Sequence, residues 1–370
     1  MFLAEQHSGA PLQPMPLPRL PENPLVSVLI ANRNYGKYIG QAIESVLAQT
    51  YKHLQICICD DGSTDDSVAV IEQYLTRGSP VTLVRREHLG VAAALNAAYH
   101  ESKGEIVCLL DADDMFLPEK VEAVVRVFRQ EEGAGMCLHH FERFSTSSNR
   151  LDDSRQAKLP AGWLGPTVIK GAHVESFIPT SGLSFRRAVT DAIFPIPTTL
   201  KAYTDAYLAR TALFVTKVAS INRILMRYRM HNDNLSSRQR WSPSYAAELL
   251  GIITVVHKAC ATFLERTYGP GIAKDFKIEN DPHYWFVQLL LAAVSAPRPA
   301  VIGGVRFGEA LARVPRNQRL LIQAVWHLPP KLSVSVLSFW LGNSTAKYKL
   351  RKALLTLCPF LRWSSDAKVV

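Results

Sequence analysis

Acidic side chains follow two apolar, strand-like segments of the chain, each at the point where the segment ends. Asp60 and Asp61 end the first segment, and Asp111 and Asp113, separated by one alanine, end the second. Two carboxylates at positions i and i+2 of an extended turn can project to the same side, one toward a metal ion and the other toward a ribose or phosphate. Carboxylate oxygens suit Mg²⁺ or Mn²⁺, and such a cation neutralises a departing diphosphate. The pattern therefore indicates phosphate chemistry, with an ordinary polar turn as the alternative.

A regular alternation of short β-rich runs and helix-period segments begins at Pro24 and must position these acids. It predicts a βαβα arrangement with a mainly parallel sheet and flanking helices. Because ligands of open α/β sheets bind outside the carboxyl ends of the strands, both acidic clusters are expected at one shared site. The predicted strands are Leu25–Ala31, His53–Cys59, Val81–Arg85 and Glu105–Leu110.

Helices are predicted between these strands and again after Trp241. The first group comprises Tyr38–Gln49, a helix with Val68, Ile71 and Leu75 on its buried stripe, Val91–His100, and a helix opened by Pro118 that buries Val121, Val124, Val125 and Phe128. The second group comprises Tyr245–Leu264, with Leu249, Ile253, Val256, Cys260 and Phe263 on one stripe, Tyr284–Ala296 and Gln318–Leu328. We expect a flexible proline-rich leader over residues 1–23, an α/β domain over 24–240 and an α-helical C-terminal region over 241–370.

The composition is that of a globular protein with an excess of basic residues. Hydrophobic residues make up 48% of the 370 residues, and 42 Lys and Arg outnumber 32 Asp and Glu, which gives a net charge of +10. This balance favours acidic partners such as sugar nucleotides or phospholipid headgroups, whereas nucleic acid is not expected, because no known motif accompanies the charge. Six cysteines are too few for a disulfide scaffold, and no apolar stretch reaches the roughly 20 residues that cross a bilayer. A cytoplasmic location is therefore expected.

Several segments, in order along the chain, resemble family 2 glycosyltransferases, whose GT-A fold is Rossmann-like. The run Gly104–Asp114 resembles the family's metal-binding segment, and its acids resemble the family's DxD motif. Val26–Tyr35 is similar to the opening strand of the family, and Asp60–Asp65 is similar to its nucleotide-binding turn. The resemblance covers roughly residues 24–240 and does not extend to the C-terminal region.

The resemblance implies a role for each matching residue. Asp205 corresponds to the family's catalytic base, although its position alone also fits a helix N-cap. Asp113 and Asp111, together with His231 of a closing Y-R-x-H element, are implied as ligands of Mg²⁺ or Mn²⁺. The residues implied in nucleotide-sugar binding are Ala31, Asn32, Asn34, Asp61, Asn96, Asp111, Ala112, Asp113, Ser181 and Gly182.

The function implied by the resemblance is inverting, metal-dependent glycosyl transfer of the hexosyltransferase type. The expected donor is a nucleotide sugar, with a UDP-sugar favoured, and the expected acceptor is a saccharide or lipid-linked hydroxyl in surface polysaccharide or glycolipid synthesis. Leu95 stands where many members carry Arg, and Thr204 stands where an acid is frequent. These departures leave a non-catalytic sugar-nucleotide-binding or assembly protein as the alternative. A dinucleotide-dependent oxidoreductase is disfavoured, because no G-x-G-x-x-G follows the first strand.

The sequence ends in a basic segment, from Trp340 on, in which Lys and Arg are interleaved with large apolar residues. Such a segment can rest on an anionic surface, which predicts a peripheral contact with the inner face of the cell membrane. A solvated basic helix packed on the α/β domain is the equal alternative.

Overall fold

Nine strands form one sheet within the part of the chain that the computed structural model describes, namely residues 11–145, 148–153, 159–171, 179–231 and 242–341. In chain order they are β1 (Val26–Asn32), β2 (Leu54–Asp60), β3 (Val81–Arg85), β4 (Ile106–Leu109), β5 (Met115–Phe116), β6 (Ala134–Ser145), β7 (Ser148–Asp153), β8 (Ser184–Arg186) and β9 (Lys217–Arg229). Their order across the sheet is β3-β2-β1-β4-β8-β6-β9-β5, with β7 paired to β6. The first ten residues of the leader and the basic tail after residue 341 lie outside the described residues.

Helices flank this sheet and build the C-terminal region. They are α1 (Gly36–Leu47), α2 (Ser67–Thr76), α3 (Val91–Glu101), α4 (Lys120–Gln130), α5 (Gly165–Ile169), α6 (Arg187–Ile193), α7 (Thr204–Val215), α8 (Pro243–Tyr268), α9 (Pro270–Ala273), α10 (Pro282–Val294), α11 (Phe307–Ala312), α12 (Arg316–Trp326) and α13 (Pro330–Trp340). A 3₁₀ turn, Thr180–Gly182, precedes β8. Each helix that the sequence predicts is present, with its ends displaced by a few residues.

The first four strands of the chain pair in parallel, as predicted. β1 lies between β2 and β4, and β3 pairs with the outer side of β2. Val28, Leu29 and Ile30 of β1 have no exposed surface, as expected for a parallel strand covered by helices on both faces. Asp60 ends β2 and Asp111 follows β4, so the two acidic clusters lie at the same edge of the sheet.

The other half of the sheet is mixed, which the alternation of strands and helices did not indicate. β8 is antiparallel to both β4 and β6, β5 is antiparallel to β9, and β6 is parallel to β9. These partners are far apart in sequence, and no strand–helix–strand spacing announces their pairing. The predicted α/β class is confirmed, but the parallel pairing dominates only from β1 to β4.

The buried faces of two helices test the predicted apolar stripes. In α4, Val121, Val124, Val125 and Phe128 are all buried, as predicted. In α2 the buried residues are Ser67, Ile71 and Tyr74, whereas Leu75 is 38% exposed. The buried face of α2 therefore runs from Ile71 to Tyr74, three residues further on. The predicted stripe is wrong at its last residue, Leu75.

Helix α8 joins the C-terminal region to the α/β core. All five residues of its predicted stripe are buried, and Val256, Cys260 and Phe263 belong to the same apolar cluster as Leu208 and Phe214 of α7. The hydroxyl of Tyr268 in α8 donates a 2.6 Å hydrogen bond to the carbonyl of Phe214. Among the described residues, α8 is the one helix long and apolar enough to cross a membrane by length and composition, a test that a buried core helix also passes.

The leader contacts the α/β core over its described part. Leu12, Met15 and Leu17 pack against the same apolar cluster, and the amide of Met15 donates a 2.7 Å hydrogen bond to the carbonyl of Val215. The guanidinium of Arg186 also donates to the carbonyl of Pro18. These contacts hold residues 12–18 against the core, whereas the flexible leader over residues 1–23 stays a prediction.

Gly104 lies where the loop before β4 crosses the start of β1. A Cβ added here would lie 2.6 Å from the carbonyl oxygen of Leu25 and 2.6 Å from the amide nitrogen of Ser27, both of them backbone atoms that cannot turn away. We expect Gly104→Ala to lower the free energy of unfolding by about 1–3 kcal/mol, the usual penalty of overpacking, in urea titrations. Gly251→Ala is the matched control, because a Cβ there meets nothing within 4 Å on helix α8. Equal stability of Gly104→Ala and the unchanged protein would contradict this packing.

Candidate active site

The acidic turn, Asp111–Asp114, follows β4 and is tied to two other segments. The amide of Asp111 donates to the Ser181 hydroxyl (3.0 Å), and this hydroxyl donates to Oδ2 of Asp114 (2.6 Å). The amide of Arg229 donates to Oδ1 of the same carboxylate (2.9 Å). Both oxygens of the fully buried Asp114 are therefore engaged in holding the turn. The other two carboxylates of the turn are those of Asp111 and Asp113.

The Y-R-x-H element at the end of β9 closes on the acidic turn. Nε2 of His231 lies 2.9 Å from Oδ2 of Asp113, and Nε of Arg229 donates a 2.7 Å hydrogen bond to the Asp113 carbonyl. The Arg229 guanidinium also bonds Gln41 of α1 and lies 4.8 Å from the centre of the Tyr38 ring. The His231 ring packs on that same ring, at 4.8 Å between centroids. The structure thus brings Asp113 and His231 together and fixes both against α1.

The carboxylates of this region interact strongly with one another. Burial, and then the negative charges of Asp113 and Asp205, raise the pKa of Asp111 to about 8, although a hydrogen bond from Thr180 opposes the shift. Burial and its two acidic neighbours also raise the pKa of Asp114 well above the usual range of an aspartate. Within the described ranges, no group of three or more His, Cys, Asp or Glu side chains forms a ready metal cluster. The site therefore places several acidic side chains close together, and a bound cation would relieve the repulsion between their negative charges.

Asp205 lies in the first turn of α7. Its charge contributes to the raised pKa of Asp111. The N-cap of α7 is Tyr203, which adopts a left-handed conformation (φ 58°), and Oδ1 of Asp205 accepts a 2.9 Å hydrogen bond from the amide of Ala206. Asp205 is thus not the N-cap residue. Burial raises the pKa of its carboxyl, which makes the carboxylate a stronger base than an exposed one.

Two loops at the carboxyl ends of β1 and β2 are cross-linked by side chains. Nδ2 of Asn32 donates to the Asp60 carboxylate (2.7 Å) and to the Ser63 hydroxyl (3.2 Å), while its Oδ1 is buried without a hydrogen-bond partner. Asn34, in a left-handed conformation (φ 58°), accepts a 2.7 Å hydrogen bond from the amide of Thr64. This arrangement brings Asn32 and Asn34 beside the turn that the sequence assigns to the nucleotide.

Asp61 has a buried carboxylate that holds the loop before α3. Its Oδ1 accepts from the amide of Leu89, and its Oδ2 accepts from the amide of Gly90 and lies near Nδ1 of His88, all three at 2.8 Å. Asp61 therefore shapes the loop whose partly exposed edge is formed by His88.

The remaining residues implied in nucleotide-sugar binding differ in what their side chains can offer. Asn96 bonds the backbone of Ile196 twice, at 2.8 and 2.7 Å, which occupies the amide atoms that a nucleotide contact would use. Ala112 is buried in the core, Ala31 is partly buried at the end of β1, and Gly182 is buried in the 3₁₀ turn. Any ligand contact by these last three would come from the backbone or a methyl group.

Sequence reasoning missed Lys120 as part of this region, and it placed Asp60 in the acidic cluster without giving it a role of its own. Asp60 accepts from Asn32 and Ser63, whereas the family position was assigned to the neighbouring Asp61. Lys120 shares the helical stripe of Val124 and Phe128 and has no exposed surface. A basic residue in phase with a buried stripe was the signal that could have identified it.

A protein-family model and several known proteins match this chain in sequence. Residues 27–194 match the family model described as Glycosyl transferase family 2. An uncharacterized glycosyltransferase of Nostoc sp. is 34% identical over 232 residues, which cover 61% of this chain and 72% of that protein. The chondroitin synthase of Escherichia coli is 37% identical over 108 residues, which cover 29% of this chain and 16% of the synthase.

Among solved structures, the chain is similar to S. aureus TarS 1–349 in complex with UDP-GlcNAc. The two share a TM-score of 0.51 at 16% sequence identity, over 89% of this chain and 92% of that one. An identity this low shows a common fold and leaves function open.

Proposed function

The chain belongs to the glycosyl transferase family 2, with the GT-A fold, and from this premise we propose that it transfers a sugar from a nucleotide-sugar donor to an acceptor hydroxyl with inversion. The partial match to a chondroitin synthase supports a polysaccharide or related glycan as the product. A UDP-sugar donor, a saccharide or lipid-linked acceptor and a cytoplasmic location, peripheral at the inner membrane face, complete the proposal.

One observation carries the proposal: a second acidic residue, from α7, acts electrostatically on the acidic turn. The charge of Asp205 contributes to the raised pKa of Asp111 although 94 positions separate them in the sequence. A reaction that needs a proton acceptor close to carboxylates able to hold a cation is served by this pairing. Carboxyl groups with a raised pKa cluster at catalytic sites, which supports turnover over binding alone.

In the proposed mechanism, Asp205 accepts the proton of the acceptor hydroxyl as that oxygen attacks the anomeric carbon. The bond between the anomeric carbon and the diphosphate oxygen breaks on the opposite face, which inverts the configuration. Burial of Asp205 raises its pKa and so strengthens it as a base, and its fixed place in the first turn of α7 orients it. Arg229 and His231 hold Asp113 in place on the donor side.

The acidic turn fits a divalent cation by the chemistry of its donors. Asp111 and Asp113 offer carboxylate oxygens, His231 adjoins Asp113, and the crowding that raises the pKa of Asp111 is what a cation would relieve. Asp114 is a positioning residue, since both of its oxygens are engaged. Bound Mg²⁺ or Mn²⁺ would supply positive charge to neutralise the departing nucleoside diphosphate.

A screen of donors tests the proposal directly. We expect the full chain to release nucleoside diphosphate from one or more members of a panel of UDP-, GDP- and dTDP-sugars, in the presence of Mn²⁺, with EDTA suppressing the release. Detection of free nucleoside diphosphate by a coupled assay checks this. Binding of a sugar nucleotide with no release, across a panel of saccharide and lipid acceptors, would instead favour the non-catalytic alternative.

A further inference from the structure

Lys120 places a positive charge in the interior of the protein, behind the acidic turn. It lies in the first turn of α4, and its side chain has no exposed surface. Its ammonium donates a 3.1 Å hydrogen bond to the carbonyl of Ser181 and lies 3.4 Å from the centre of the Phe116 ring. Both of these partners are neutral. An ammonium group buried among neutral partners is costly, so its presence calls for an explanation other than packing.

The partner of Lys120 is the residue that organises the acidic turn. Ser181 uses its carbonyl for the ammonium and its hydroxyl for both the amide of Asp111 and the carboxylate of Asp114. Ser181 is itself fully buried in the 3₁₀ turn Thr180–Gly182. One side chain from α4 thus fixes the backbone of a segment 61 residues away, and that segment fixes the turn at the end of β4.

The surroundings of Lys120 also act on its charge. Burial lowers the pKa of Lys120 to about 8, while Cys108, Cys137 and Asp114 act in the opposite direction and favour the ammonium form. Met or Leu at this position would fill the same volume. It would leave the Ser181 carbonyl buried without this donor.

We infer that Lys120 is a positioning residue of the glycosyl transfer, acting through Ser181 to hold the acidic turn and the 3₁₀ turn in a single geometry. The inference rests on the proposed function for its effect on catalysis, and on the hydrogen bonds alone for its effect on structure. Lys120 touches no reacting group, so its loss lowers the rate through the placement of Asp111 and Asp113.

The variants Lys120→Met, Ser181→Ala and their double variant test the inference in the full chain. We expect Lys120→Met to lower kcat by about 10- to 100-fold, as small misplacements of reacting groups do, with KM for the donor changed by less than about threefold. Because both residues act along one path, the double variant should lose no more than the larger single loss. Val121→Ala is the matched control, since Val121 is the next residue of α4, is fully buried and makes none of these contacts. It should lower the urea midpoint but keep kcat within about twofold.

Amide hydrogen exchange provides a readout that does not need turnover. The Asp111 amide is bonded to Ser181, so Lys120→Met should speed exchange in the peptide containing Asp111 by about tenfold or more, and Val121→Ala should not. If the unchanged protein shows no turnover, the proposed function fails while this measurement still tests Lys120. Normal kcat with normal exchange in Lys120→Met, or additive losses in the double variant, would overturn the inference. Should Lys120→Met not fold, Ser181→Ala alone tests the same path, and unchanged kcat and exchange there would overturn it equally.

Discussion

Asp205→Asn should lower kcat by about 10² to 10⁴, the usual contribution of a general base, while donor affinity stays unchanged. The amide of Asn cannot accept the proton, but its Oδ1 can still accept from the Ala206 amide, so the first turn of α7 keeps its geometry. Stopped assays of nucleoside diphosphate release, with calorimetry of donor binding, check both parts. Asp275→Asn, an exposed carboxylate on another surface, is the matched control and should retain full activity. Undiminished turnover of Asp205→Asn would remove Asp205 from the role of base.

The same variant carries a pH signature. Asp205 acts as a base only when ionised, and burial raises its pKa, so the rate should fall as the pH drops through that raised pKa. The fall therefore begins at a higher pH than for an exposed aspartate. Asp205→Asn has no such group, and its residual rate should lack this acidic limb. An identical acidic limb in both proteins would assign the titration to another residue.

Asp113→Asn should abolish the dependence of donor binding on the cation, with a loss of at least about 10²-fold in affinity when Mn²⁺ is present. The substitution removes one negative charge and keeps the shape of the side chain. The Arg229 hydrogen bond survives, because it is made to the backbone carbonyl of residue 113. Isothermal calorimetry of a UDP-sugar with and without Mn²⁺ measures the effect.

The control for Asp113→Asn is Glu119→Gln, which removes the same charge from an exposed residue close to the acidic turn in sequence. It should bind donor as the unchanged protein does, in both conditions. Equal cation-dependent affinities of Asp113→Asn and the unchanged protein would refute the metal assignment.

The sequence predicted the part of the molecule where local patterns determine structure. β3 was predicted with its observed ends, Val81–Arg85, and the acidic residues were placed at strand ends because apolar runs stop abruptly there. The buried stripes of α4 and α8 followed from helical periodicity. Such features depend on residues a few positions apart, which a single sequence displays directly.

Long-range contacts were the part that the sequence could not predict. The parallel pairing of β6 with β9 and the bond between Lys120 and Ser181 join segments many positions apart, and no local pattern encodes either. Asn96 and Asp61 matched the positions of a family pattern, yet the structure shows side chains that bond the protein's own backbone. The sequence showed that the side chains of Asn96 and Asp61 are polar. Which groups they bond depends on the tertiary fold.

The closure of the acidic turn by Arg229 has a consequence for how the protein is made. Asp113 and Asp114 leave the ribosome more than 100 positions before the residue that bonds them both, at sequence separations of 116 and 115. Until β9 is synthesised, the emerging chain lacks the arginine that bonds both residues, so the observed geometry of the acidic turn cannot be complete. Closure of this turn is thereby deferred to a late step of translation, after the other eight strands of the described sheet have been made.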